Sequence, residues 1–151
     1  MKILNEFSRR FNKNEQVRLE TDASIEHLER KFKVFLPEIY KSFLKEIGNV
    51  FTPEILNIVV DKEIDLLEVN EFWEIEQIIF DKENEWTSNL STELIPIAND
   101  SLGNLFAFSN EELTKNNIKI GIYFFDHDFN TIEKIANSFE NWIEKFNELE
   151  G

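Results

Sequence analysis

The sequence predicts an α+β fold. Three observations carry this. Apolar residues fall at helical spacing before Gly48 and again after Ser138. Runs rich in β-branched and aromatic residues, separated by short Asn/Asp/Gly turns, fill Leu94 to Ile135. The resulting order, helices, strands, one helix, strands, helix, lacks the regular alternation of a parallel α/β sheet. A chain of 151 residues, 42% hydrophobic with fifteen Phe, forms one domain over 1–151 and can bury a substantial core.

Ile3, Leu4, Phe7 and Phe11 share one helical face, so the chain opens on an amphipathic helix. Ser24 is the expected N-cap of a second helix whose buried positions are Ile25, Leu28 and Phe32. Leu36-Pro37 interrupts it, because a residue before proline avoids helical angles, and Pro37 suits the first turn of the next helix. Ile39, Tyr40, Phe43, Leu44 and Ile47 form that helix's apolar stripe, and Gly48-Asn49 ends it. The β-branched run Ile55–Val60 and the shorter Glu63–Glu68 are expected strands joined by a turn at 60–63. From Glu71 a helix is expected, with Phe72, Ile75, Ile79 and Trp86 inward and Glu71, Glu74, Asp81 and Glu85 outward.

Four more strands follow: Leu94–Ala98, Asn104–Phe108, Ile118–Phe125 and Thr131–Ile135. Residues 99–103 and Asp126-His127-Asp128 provide the turns, and such short links favour antiparallel pairing. Ser138 then caps a closing helix that buries Phe139, Trp142, Ile143, Phe146 and Leu149.

The formal charge is −14, which argues against nucleic acid as a direct ligand, since neutralising phosphates requires clustered Lys and Arg. It suits a basic macromolecular partner, although acidity also serves simple solubility. The charge is unevenly placed. Met1–Lys41 holds nine basic against seven acidic residues, whereas Glu54–Trp86 holds eleven acids against Lys62 and Lys82. An electrostatic docking surface is therefore expected to involve that second stretch, with a solvated helix face as the alternative for its acidic stripe.

Cysteine is absent, so thiolate chemistry and disulfides are excluded. The N-terminal Met1–Lys13 has four basic residues and no apolar run of signal-peptide type, and no stretch reads as a membrane span, so a cytoplasmic location is expected. No P-loop, dinucleotide fingerprint or Gly-x-Ser-x-Gly motif occurs. Asp126-His127-Asp128 is the one cluster with metal-ligand chemistry, but three consecutive residues seldom converge on one ion, and a polar turn is the simpler reading. Asn99-Asp100 and Gly103-Asn104 read as a turn whose side chains satisfy their own backbone, with Gly103 at a positive φ. No metal, cofactor or catalytic residue is expected.

Several segments carry a family resemblance. Leu36-Pro37-Glu38-Ile39-Tyr40-Lys41-Ser42-Phe43-Leu44 resembles the LPxxYxxFL segment of the SUKH superfamily. Leu94 to Asp100 with Gly103 to Phe106 is similar to its PIA-D-G-G strand and turn. Ile122–Asp128 resembles its aromatic strand ending in Asp-His, and Ile135–Ile143 its closing helix start. The likeness runs in order from about Ser24 to Phe146, with residues 1–23 an additional helix and connection. Two departures concern loops: Gly48 is followed by Asn49 where a second glycine is common, and Ser101-Leu102 stands where smaller residues are usual.

The superfamily includes yeast regulators of cell-wall synthesis and many bacterial toxin-immunity proteins. The resemblance implies a curved, largely antiparallel sheet with helices packed around it. It also implies a non-enzymatic immunity protein that neutralises a cognate polymorphic or contact-dependent toxin, often a nuclease, through direct contact; the alternative is a regulatory or scaffolding module. The partner expected is a basic nuclease domain, with no membrane and no direct nucleic acid. The expected contact residues are Glu63, Asp65, Glu68, Glu71, Glu74, Asp81 and Glu85, with Asp126 and Asp128 flanking His127.

Overall fold

Apolar spacing decides which side of each helix is buried. In the computed structural model, which describes residues 2–11, 18–84, 93–115 and 119–149, Leu4, Phe7 and Phe11 form the buried side of α1 (Lys2–Phe11). Helix α2 (Asp22–Phe32) buries Ile25 and Leu28, and α3 (Glu38–Glu46) buries Tyr40, Phe43 and Leu44. Helix α2 starts earlier than expected. Thr21 is the N-cap, and Ser24 sits at the third helical position, where the two side chains satisfy each other's backbone N–H reciprocally. Gly48 follows α3 at φ +78°, and a Cβ there would lie 2.3 Å from the Arg18 carbonyl oxygen, so only glycine fits.

The structure corrects the expectation for Ile55–Val60, which forms helix α4 (Pro53–Asp61) instead of a strand. Pro53 at the first helical position and the i, i+3, i+4 placing of Ile55, Ile58 and Val59 against the core outweigh β-branched propensity. The chain does turn at 60–63, but to end a helix: Glu63 takes a left-handed φ of 51°, and Ile64 N–H donates to the Val59 carbonyl. Glu63–Glu68 is not a strand; it runs as an irregular connection.

A second correction follows at Glu71. Glu71–Phe72 is strand β1, paired with Asn99 and Ala98, and the helix α5 begins only at Ile75 and runs to Asn84. Phe72, expected on a helical face, is drawn into the ladder. Trp86 lies outside the described residues. Strands β2 (Leu94–Asn99), β3 (Leu105–Ser109), β4 (Ile122–Asp126) and β5 (Thr131–Ala136) lie where expected, except that β4 begins later than the Ile118 start read from sequence. Ile118 lies outside the described residues. The short helix α6 (Asn110–Thr114) between β3 and β4 was not expected; Ser109 caps it by accepting from Glu112 N–H. Ser138 caps α7 (Phe139–Asn147) as expected, accepting from Asn141 N–H at 3.0 Å.

The five strands form an open antiparallel sheet in sequence order, a meander, so the fold is α+β as expected. Register shifts between Pro96 and Ala98 and between Ile122 and Tyr123 add bends that curve such a sheet. One face is covered by α1, α3 and α7. Trp142 of α7 packs against Phe72 and Phe106 of the sheet, and Phe139 packs against Phe108, Tyr40 and Phe43. Phe7 of α1 meets Phe43, Phe72 and Phe146, so α1 closes the same cluster. Arg10 of α1 donates to the Phe146 carbonyl at 3.2 Å and to the Asn147 carbonyl, capping the C-terminus of α7.

Glu20 joins two distant helix starts. Its carboxylate accepts from Ser24 Oγ at 2.9 Å and from Ile75 N–H at 3.0 Å, so it caps α5 from 55 residues away. This fixes how α5 leaves the sheet edge. Glu112 plays a similar part for β4, accepting from Gly121 N–H and from the Tyr123 hydroxyl.

Three outcomes follow for stability, each readable by urea unfolding. Phe43→Ala leaves a cavity among Phe7, Tyr40, Phe72 and Phe139 and is expected to cost about 3–5 kcal/mol. Tyr40→Phe is expected to be neutral or stabilising by up to about 1 kcal/mol, because the buried Tyr40 hydroxyl has no hydrogen-bond partner among the described residues. Glu20→Ala is expected to cost about 1–3 kcal/mol and Glu20→Gln less, since glutamine retains an acceptor for Ile75. Equal stability of Glu20→Ala and the parent would show that α5 needs no distant cap.

Candidate partner-binding surface

Sheet register brings loops from distant parts of the chain to one end of the molecule. Asn99 pairs with Leu105, Leu105 with Phe125, and Asp126 with Thr131, so the β2–β3 and β4–β5 turns lie side by side. Glu71 pairs with Asn99, which places the segment entering β1 at the same end.

Each turn is built by a carboxylate. In the β2–β3 turn, Asp100 Oδ1 accepts from Leu102 N–H at 2.9 Å and Asn104 N–H at 2.8 Å, while Oδ2 accepts from Asn104 Nδ2 at 3.0 Å. Gly103 carries the positive φ, +88°, that the turn requires. In the β4–β5 turn, Asp126 Oδ1 accepts from the N–H groups of Asp128 at 2.9 Å and Phe129 at 3.3 Å. Both turns thus match the reading of self-satisfying polar loops.

The turns are also bonded to each other. Asn104 Oδ1 accepts from His127 N–H at 3.1 Å, and His127 Nε2 lies 3.0 Å from the Leu102 carbonyl oxygen, to which it donates. That bond, with the carboxylates of Asp128, Asp126 and Asp100 nearby, raises the His127 pKa above its ordinary value. From the β1 side, Glu68 Oε1 accepts from Ser101 N–H at 2.9 Å and Ser101 Oγ at 2.7 Å. A long connection is thereby fastened to the turn pair.

The expected contact residues divide between several places. Glu68, Asp126 and Asp128 belong to the turn end. Glu71 enters the sheet beside it and is half-buried, and burial followed by the charge of Glu74 raises its pKa. Glu63 and Asp65 are exposed on the connection after α4. Glu74 precedes α5 and lies 3.8 Å from Arg18, which also pairs with Glu76 at 3.2 Å. Asp81, on α5, is half-buried; desolvation raises its pKa while Lys82 opposes the shift. The acidic stripe read as one helix face is therefore broken, with Glu71 in a strand and Glu74 before the helix begins. Glu85 lies outside the described residues.

Sequence reasoning did not pick out Leu102 and Phe129, which stand on the two turns with 75% and 77% of their surface exposed. A signal existed for the first: Leu102 occupies a position where smaller residues are usual in the resemblance. Glu20 was also missed, and its role is visible only in three dimensions.

Asp126, His127 and Asp128 are committed to the turn geometry, and among the described residues no group of three or more His, Asp or Glu is placed to hold a metal ion. No described helix is long and apolar enough to cross a membrane. The arrangement is a hydrogen-bonded pair of turns that carries carboxylates and displays Leu102 and Phe129 to solvent.

A search of curated proteins returned no match for this chain. The model of the SMI1 / KNR4 family (SUKH-1), however, matches residues 20–145, from the Glu20 cap through the last turns of α7. With most of the sequence and the α2–α7 scaffold covered by that match, the chain belongs to the SMI1/KNR4 family of the SUKH superfamily.

Proposed function

We propose that this protein is an immunity protein that binds and neutralises a cognate bacterial toxin by direct contact, without chemistry of its own. Membership of a family known for immunity-type function is the observation that carries the reading. The charge supports it. A chain of net charge −14, all of whose acidic excess follows Lys41, is complementary to a basic nuclease cleft, where carboxylates occupy the ground that phosphates otherwise hold. Glu63, Asp65, Glu68, Glu71, Glu74, Asp81, Glu85, Asp126 and Asp128 are the carboxylates proposed to supply this field. The working location is the cytoplasm, where a nuclease toxin meets its targets.

Inhibition of this kind requires a rigid surface in preference to a reactive one. Neutralisation follows when the complex outlives the toxin's opportunity to act, so slow dissociation matters as much as fast encounter.

The test is co-expression with the toxin encoded by the adjacent open reading frame. Cells carrying both genes are expected to survive and cells carrying the toxin gene alone to die; death of both sinks the reading. With the purified pair, raising salt from about 0.05 to 0.5 M is expected to slow association tenfold or more with a smaller effect on dissociation. An association rate independent of salt would remove the electrostatic part of the proposal.

A further inference from the structure

We infer that the end of the sheet formed by the β2–β3 and β4–β5 turns is the face that docks the basic protein partner, with Leu102 and Phe129 as its apolar anchors. The inference rests on the reading that this chain acts by binding a toxin, and it goes further by naming the face and the residues.

Isolated exposed hydrophobic residues are ordinary on protein surfaces. These two differ in three respects. They are the most exposed large apolar side chains among the described residues, at 75% and 77%. They occupy turns that lie at one end of one sheet and are bonded to each other. And both stand on backbone that is held in place. The Leu102 N–H donates to Asp100 and its carbonyl accepts from His127, while the Phe129 N–H donates to Asp126. Loop tips are commonly the least ordered part of a fold, and ordering them on binding weakens association. Here Asn104 and His127 tie the two turns together before any partner arrives. The anchors are therefore pre-organised.

Charge identifies the occupant. Around the anchors, Glu68, Asp126 and Asp128 have no lysine or arginine ion pair among the described residues; the pairing recorded there is His127 Nδ1 with Asp128 Oδ1 at 3.3 Å. Glu68 and Asp126 accept from N–H and hydroxyl donors and Asp128 lies against the His127 ring, so the rim is lined by carboxylates while its centre is apolar. That combination fits a protein surface with an apolar pocket bordered by lysine and arginine. A second copy of this chain would bring like charges together, and nucleic acid is repelled by the same field.

The experiment uses the full-length chain and the purified product of the adjacent open reading frame, with binding kinetics measured at about 0.15 M salt. Leu102→Ala and Phe129→Ala remove exposed side chains, so their melting temperatures are expected to match the parent. Each is expected to weaken binding about tenfold or more, mainly through faster dissociation. Asp128→Lys is expected to slow association several-fold. Phe35→Ala, which truncates a half-exposed side chain on the α2–α3 connection, is expected to bind like the parent.

Parental affinity in both turn variants, with the parent binding tightly, overturns this face and leaves the immunity reading standing. Absence of binding by the parent overturns both. Self-association of the free chain that is abolished by the same two substitutions assigns the face to a second copy and also overturns the inference.

Discussion

The contact on which the rest of this fold depends is the seating of Trp142 between Phe72 and Phe106, with ring centroids 5.5 and 5.2 Å away. Phe72 comes from the shortest strand at one edge, Phe106 from the middle of the sheet, and Trp142 from the closing helix. One side chain therefore holds an edge strand, the sheet centre and α7 together. Tilted and edge-to-face rings extend the cluster through Phe139 to Tyr40 and Phe43, and through Phe146 and Phe7 to the N-terminal helix. Aromatic contacts of this geometry add modest directional energy to a large burial term. Most of the fifteen phenylalanines are buried in this cluster or beside it.

Concentrating helices on that face determines what is left free. With α1, α3 and α7 over one side of the sheet and Glu20 capping the start of α5, the strand ends at Asn99/Leu105 and Asp126/Thr131 carry the turns on which Leu102 and Phe129 are exposed. Leu102 and Phe129 there can vary with little effect on the core, since both are exposed, whereas Asp100, Gly103 and Asn104 hold the turn. Loops displayed by a rigid scaffold are a general way for one fold to serve many partners, and this division between an aromatic interior and a polar, self-contained turn end has that form.

How much was legible in the sequence depended on the range of the interactions involved. Strands β2 to β5 and the faces of α1, α3 and α7 were readable because local period and turn chemistry agree with burial there. Ile55–Val60 was misread because β-branching and helical spacing conflict within one short run, and packing of Ile55, Ile58 and Val59 decided the matter. Glu71–Phe72 was misread because its ladder partner lies in β2, beyond any local pattern. At the candidate surface the turns themselves were legible, since Asp100 and Asp126 bond within four residues of their own positions. The fastening of Glu68 to Ser101 and of His127 to Leu102 spans 33 and 25 residues, and nothing in the intervening sequence announces it.

The same geometry explains why net charge alone is a poor guide to where the protein is electrostatically active. On and beside α5, acids are abundant but matched: Arg18 lies against Glu74 and Glu76, and Lys31 against Glu83 at 3.0 Å. Such pairs add little stability, and they weaken the field that Glu74 and its paired neighbours contribute at a distance. At the turn end, Glu68 and Asp126 are held by backbone N–H groups and a hydroxyl, while Asp128 lies 3.3 Å from the imidazole of His127, whose raised pKa lets it offset part of that one charge. A hydrogen bond from a neutral donor stabilises an anion without neutralising it, so the negative potential survives while the side chain loses its freedom to reorient. An acid held this way presents a fixed charge at a fixed place, and the basic partner proposed for this protein would meet it without first having to order it. Fewer carboxylates can therefore do more at the turns than a larger number does along the paired helix.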